Sequence, residues 1–131
     1  MSASPQVQTI LDIYAAFGRG DIPAILDQLA DDVVWRAYVD PMVSWAGDFS
    51  GKARVPAFFD GIFRGVEVEG FEPLETIGQG DTVISTGWFA CRGRETGKSA
   101  RTRWVFVWHF RNGQVSSYEQ FHDPAVEAVF S

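Results

Sequence analysis

A single cysteine, Cys91, leaves this chain with no internal disulfide and too few thiols for a structural zinc site. Basic residues are scarce as well. Against 17 Asp and Glu there are only 11 Lys and Arg, a net charge of −6, which argues against nucleic acid or an anionic membrane as partner. No apolar run is long enough for a membrane span, and the longest strongly apolar stretch, Trp104–Phe110, is interrupted by His109. Met1–Ile10 lacks the basic and apolar regions of a secretion signal, so the chain reads as cytoplasmic. No cofactor-binding motif is present, and the expected cofactor is none. A length of 131 residues predicts one domain spanning 1–131, and 46% apolar with 21% charged content predicts a packed core. What the chain has in plenty is rings: 5 Trp, 3 Tyr and 11 Phe make 15% of it aromatic. Either the core is unusually aromatic or the rings line a cavity.

The pattern along the chain predicts α+β organisation. Ser4-Pro5 reads as a helix start, Val7, Ile10, Leu11, Tyr14 and Phe17 recur at helical spacing, and Gly18-Arg19-Gly20 stops the run. Asp21 caps a second helix with Ile22, Ile25, Leu26 and Leu29 on one face, ended by Asp31-Asp32. Val33–Val39 reads as a short strand and Asp40–Ser50 as a loop. Ser50-Gly51 opens a third helix carrying Val55, Phe58, Phe59, Ile62 and Phe63, with Gly65 as its stop. The period then changes to two. Four strands follow, Val66–Ile77, Thr82–Gly93, Ala100–Arg111 and Gln114–His122, the last pair joined by the hairpin signal Asn112-Gly113. Ala125–Phe130 reads as a closing helical turn. Helices packed on one face of a curved, mostly antiparallel sheet are the architecture this order predicts.

Particular stretches carry a resemblance. Tyr14-Ala15-Ala16-Phe17-Gly18-Arg19-Gly20-Asp21 followed by Leu29-Ala30-Asp31-Asp32-Val33-Val34-Trp35 resembles the opening of SnoaL-like polyketide cyclases and ketosteroid isomerases. Phe49-Ser50-Gly51, Trp104–Val115 with its Arg-Asn-Gly turn, and Tyr118–Asp123 resemble the same group. The resemblance implies the cone-shaped fold of the nuclear transport factor 2-like superfamily, with three N-terminal helices on the concave face of the sheet, and pairing of two copies through that sheet. A fold that hosts isomerases, cyclases, dehydratases and non-catalytic proteins does not name one reaction. In ketosteroid isomerase-like enzymes a tyrosine donates to the oxyanion, and two aspartates complete the site. Tyr14 matches the tyrosine, but the aspartate positions align to Ala37 and Phe106. The acid–arginine–acid set of the related epoxide hydrolases is missing too, since no acid stands between Arg101 and Arg103.

If Phe106 faces the cavity, strand parity brings Trp104, Trp108 and Phe110 with it and sends Arg103, Val105, Val107 and His109 outward. The alignment turns Tyr118, Gln120 and His122 inward. Tyr14, His122 and Asp40 are therefore the candidate catalytic residues. Each has a plainer reading: a core tyrosine bonded to backbone, a histidine ending a strand, and an aspartate opening a turn before Pro41. Trp35, Trp45, Phe59, Trp88, Trp104, Phe106, Trp108, Tyr118 and Gln120 are the expected pocket lining, with Trp45, on its loop, as a lid or rim contact. Asp123-Pro124 reads as a turn. His109 and His122 fall on opposite faces, so no metal site is expected. Arg92, Arg94, Lys98, Arg101 and Arg103 form a basic hairpin that reads as a solvated tip. The functions that fit are a proton-transfer isomerase, cyclase or dehydratase acting on a small hydrophobic or aromatic carbonyl compound, or a non-catalytic ligand-binding or dimerisation protein.

Overall fold

The structure is a computed structural model and describes residues 4–131. Helix α1 (Pro5–Arg19) starts where the Ser4 hydroxyl accepts a bond from the Val7 amide at 3.1 Å, and it buries Ile10, Ile13, Tyr14 and Ala16. Asp21 caps α2 through the Ala24 amide at 3.2 Å. That helix is shorter than its apolar spacing predicts, running only Ile22–Leu26, and Asp31-Asp32 is not its end. Leu29–Tyr38 is instead strand β1, because Leu29, Ala30 and Val33 bury their side chains while Leu29 pairs with Val115. Long-range pairing here overrides local helical preference. Asp32 sits where the register shifts and bonds Arg111 at 2.5 Å.

The stretch read as a plain loop contains a two-residue strand, β2 (Gly47–Asp48), paired antiparallel with Arg36 and Ala37. A 3-10 turn (Lys52–Arg54) leads into α3 (Val55–Gly65). Gly65 does not act as a left-handed stop: the helix passes straight into β3, with Val66 already extended at φ −138°. The meander follows as β3 (Val66–Gln79), β4 (Thr82–Gly93), β5 (Ser99–Arg111) and β6 (Gln114–His122), and a 3-10 turn (Pro124–Phe130) closes the chain. Asn112 and Gly113 both take positive φ, 53° and 79°, as a tight two-residue hairpin requires.

The sheet order is β2-β1-β6-β5-β4-β3, and every pairing is antiparallel except β1 with β6. The sheet is curved and unclosed, as expected for the α+β cone. Register shifts at Val68/Gly70 and Pro73/Glu75 bend β3, the strand on which α1 and α3 lie. Alternation sets the inner face. Thr102, Trp104, Phe106, Trp108 and Phe110 are buried on β5, while Arg103 and Val105 are exposed. No helix among the described residues is long and apolar enough to cross a membrane.

Candidate functional site

The inner face and the helices enclose a cavity of about 60 Å³, room for a few water molecules. Its walls are rings. Trp104 stacks on Phe106 at 3.9 Å between centroids, Trp35 lies 4.2 Å from Tyr118, and Trp108 lies 4.4 Å from the same tyrosine. Phe59, Phe71 and Phe89 add to the apolar lining. Polar atoms are few, and while Trp35 Nε1 and Trp104 Nε1 are buried without a partner, the other polar side chains form two hydrogen-bonded groups. The Tyr14 hydroxyl accepts a bond from Trp108 Nε1 at 3.0 Å. Burial pushes its pKa well above that of an ordinary phenol, and contacts with Ser85 and Trp108 offset part of that rise. Tyr118, fully enclosed, is pushed the same way for the same reason.

At the other end, Gln120 joins three side chains. Its amide nitrogen donates to the Tyr118 hydroxyl, and its oxygen accepts from Trp45 Nε1 at 2.8 Å and lies 2.7 Å from His122 Nε2. His122 lines the cavity, and burial lowers its pKa to about 4, only partly opposed by the charge of Asp123. The imidazole is therefore neutral at pH 7. Its Nδ1 is buried with no partner on the chain.

The segment carrying Trp45 is held by close approach rather than by regular structure. Ser44 packs on α3 against Gly61 and Gly65, and its hydroxyl donates to the Gly61 carbonyl at 2.6 Å. A Cβ on Gly61 would stand 2.5 Å from the Ser44 carbonyl oxygen, and one on Gly65 would stand 2.0 Å from Ser44 Oγ. These two glycines form a notch that seats the segment and drives Trp45 inward to 1% exposure. Trp45 is thus part of the cavity wall and not the lid or rim contact its loop position suggested. Gly61→Ala should cost about 1–3 kcal/mol by overpacking against backbone. It should appear as a lower Tm and a red-shifted tryptophan emission, and unchanged values would contradict the notch.

Tyr14, His122, Trp35, Trp45, Phe59, Trp104, Phe106, Trp108, Tyr118 and Gln120 all line this one cavity. Three expected residues do not, the first being Phe110, which is buried on the inner face of β5 but outside the lining. Trp88 is on the outer face, flanked by Arg101 at 4.0 Å and Arg103 at 5.4 Å over its ring. The inner side of β4 at that level is Gly87, paired with Trp104, where a Cβ would stand 2.3 Å from Trp104 Cζ2. The small residue makes room for the large ring opposite, and parity then turns Trp88 out. Asp40 accepts from the Met42 amide at 2.9 Å, an Asx turn, and lines an outer cleft with Tyr38 and Asp123, a cleft that His122 borders as well as the cavity. Asp123 is a turn residue as read, bonded to Thr102 Oγ1, the Arg103 amide and the Ala125 amide. The basic hairpin is tied down locally, through Arg92–Glu67, Arg94 to the Phe63 carbonyl at 2.7 Å and Lys98 to the Ser131 carbonyl at 2.9 Å. Among the described residues no cluster of His, Cys, Asp and Glu could hold a metal ion. Phe71 and Phe89 are lining residues that sequence reading missed. Their signal was strand alternation on β3 and β4, which the bulges on β3 obscure.

An open α+β cone closing over an aromatic cavity defines the nuclear transport factor 2-like class. Within it the chain belongs to the SnoaL-like domain family, whose pattern matches residues 10–118. A solved nuclear transport factor 2-like protein of unknown function from Burkholderia pseudomallei is 31% identical, with a TM-score of 0.85, covering 97% of this chain and 96% of that one. One from Burkholderia xenovorans is 30% identical, with a TM-score of 0.87 and coverage of 100% and 99%. TerC, co-crystallised with polyporic acid, is 27% identical, with a TM-score of 0.86 and coverage of 97% and 98%. No curated protein matches the sequence.

Proposed function

We propose that this chain binds a small hydrophobic or aromatic carbonyl compound in the ring-lined cavity and moves a proton next to the carbonyl, as an isomerase, cyclase or dehydratase does. The observation that carries the reading is the convergence of Tyr14, Tyr118 and neutral His122 on one largely apolar space. His122 takes the proton from carbon, the C–H electron pair moves into the enolate, and charge develops on the carbonyl oxygen. A tyrosine hydroxyl donates to that oxygen. An imidazole held at about 4 is a weak base in the resting site. Negative charge developing on the ligand favours the imidazolium and strengthens the base as the proton moves. The crystal of TerC with polyporic acid supports an organic ligand for a cavity of this kind.

The test is exchange of the α-protons of small aromatic ketones in D2O, followed by NMR. Catalysed exchange that His122→Gln abolishes supports the reading. The narrowness of the cavity favours a second reading, in which the cone is filled by its own rings and the protein is non-catalytic; neither binding nor exchange across the ketone panel would put that reading first.

The outer face of the sheet carries its own proposal. Tyr38 stacks on Phe121 at 5.1 Å, Phe121 pairs with Val105, and Ile84 pairs with Val107. Tyr38, Ile84, Val105 and Phe121 are 48%, 43%, 37% and 42% exposed, which is too apolar for a free surface. We propose that a second copy covers this face, over at least ~1,000 Å² in total. Light scattering at micromolar concentration should give a dimer, and Val105→Glu should give a monomer. A monomeric wild-type protein would overturn the proposal.

A further inference from the structure

We propose that Gln120 and Trp45 are positioning residues that hold His122 as its Nε2-protonated tautomer, leaving Nδ1 as the nitrogen that meets the ligand's transferable proton. The role given to Nδ1 rests on the preceding functional reading, whereas the tautomer follows from hydrogen-bond geometry alone. An indole N–H can only donate. Trp45 Nε1 lies 2.8 Å from one terminal atom of the Gln120 amide, so that atom is the oxygen. The amide nitrogen is then turned to the Tyr118 hydroxyl, which accepts. The same Gln120 oxygen lies 2.7 Å from His122 Nε2. It has no hydrogen to give, so the imidazole nitrogen must donate. A neutral imidazole carries one N–H, and Nδ1 therefore holds the lone pair. That atom is buried, has no partner on the chain, and belongs to a ring that lines the cavity. Asp123, the next residue, does not compete for the ring, because its carboxylate oxygens are taken by Thr102, Arg103 and Ala125.

The arrangement couples the base to a segment remote from it in sequence. Trp45 rides on the stretch that Ser44 docks against Gly61 and Gly65. If that stretch shifts, the donor that fixes the amide is withdrawn and Gln120 is free to turn its nitrogen toward His122. The opposite tautomer then becomes accessible, and the lone pair moves to Nε2, the nitrogen that faces Gln120.

The experiment is 15N-resolved NMR of the imidazole rings at pH 7 in ligand-free protein, where couplings to the ring C–H protons tell the two nitrogens apart. Wild-type protein should show His122 protonated at Nε2 and bare at Nδ1, with His109 on the outer face as internal reference. Gln120→Leu removes the acceptor and should abolish the Nε2–H preference, a change that loss of stability alone would not produce. Should Gln120→Leu fail to fold, Trp45→Phe removes the fixing donor and should give a mixture of tautomers. Wild-type His122 protonated at Nδ1, or an unchanged Nε2–H signal in the folded variant, would overturn the proposal. Because no ligand is present, this result is separable from the functional reading: failed ketone exchange strikes the chemistry and leaves the tautomer standing, and the reverse also holds.

Discussion

Tyr14→Phe is expected to fold and to slow proton transfer on a carbonyl ligand about 10²–10³-fold, the usual cost of losing one oxyanion donor in an enclosed site. The ring makes the packing contacts, lying 5.4 Å from Phe71 and 6.0 Å from Trp104 between centroids, and phenylalanine keeps them. What is lost is the hydroxyl, which in the resting protein accepts from Trp108 Nε1. Leaving that indole N–H unpaired costs about 1–3 kcal/mol of stability, so the variant's Tm should fall modestly. Rate and stability can thus be read apart. A folded Tyr14→Phe protein with wild-type exchange rates would remove Tyr14 from the chemistry and leave Tyr118 as the donor.

The second large effect is on stability in mild acid. His122 titrates at about 4 in the folded protein and near 6.5 when unfolded. Between those values the unfolded chain binds a proton that the folded one refuses. The folded state is therefore at full stability above pH 6.5 and loses it as pH falls toward 4, by about 3 kcal/mol at most. The salt-bridged carboxylates act lower down. The carboxyls of Asp48, Asp32 and Glu67 are held below their ordinary values by hydrogen bonds, to Ser50 and Arg36 for Asp48, to Arg111 for Asp32 and to Arg92 for Glu67. Their contribution is lost only as pH drops through and below the carboxylate range. Melting curves from pH 7.5 to 4 should show a Tm decline beginning near 6.5. His122→Gln should flatten that upper part and leave the steeper acid limb. A decline of the same shape in the variant would mean that His122 is not held neutral by burial.

How much of this was legible follows from what each element needs. The caps at Ser4 and Asp21, the apolar spacing on α1 and α3 and the Asn112-Gly113 hairpin are local signals, and the structure uses each of them. β2 was not legible: two residues cannot show alternation, and Gly47 and Asp48 are poor strand formers that pair only because β1 offers an edge. Leu29–Asp32 looked like a helix end because the pairing with Val115 that makes it a strand lies far along the chain. In the site, the resemblance and β5 parity brought Trp104, Phe106, Trp108 and Tyr118 to the cavity, whereas Phe110 shares their face but lies outside the lining. Trp88 was misplaced because both phases of β4 carry apolar residues. The clue was Gly87 across from Trp104, a notch whose purpose shows only once the strands are paired. Gly61 and Gly65 were hidden for a related reason, since their value lies in what packs on them.

The central claim is that the aromatic cavity opens to a small organic ligand. The most direct measurement is a 1H–15N NMR titration of the five tryptophan indoles with small aromatic ketones. Trp35, Trp45, Trp104 and Trp108 line the cavity, while Trp88 lies on the outer face and serves as the control. The account predicts saturable shifts of the four cavity indoles with Trp88 unmoved. Four unmoved cavity indoles across the panel, or shifts confined to Trp88, would contradict it.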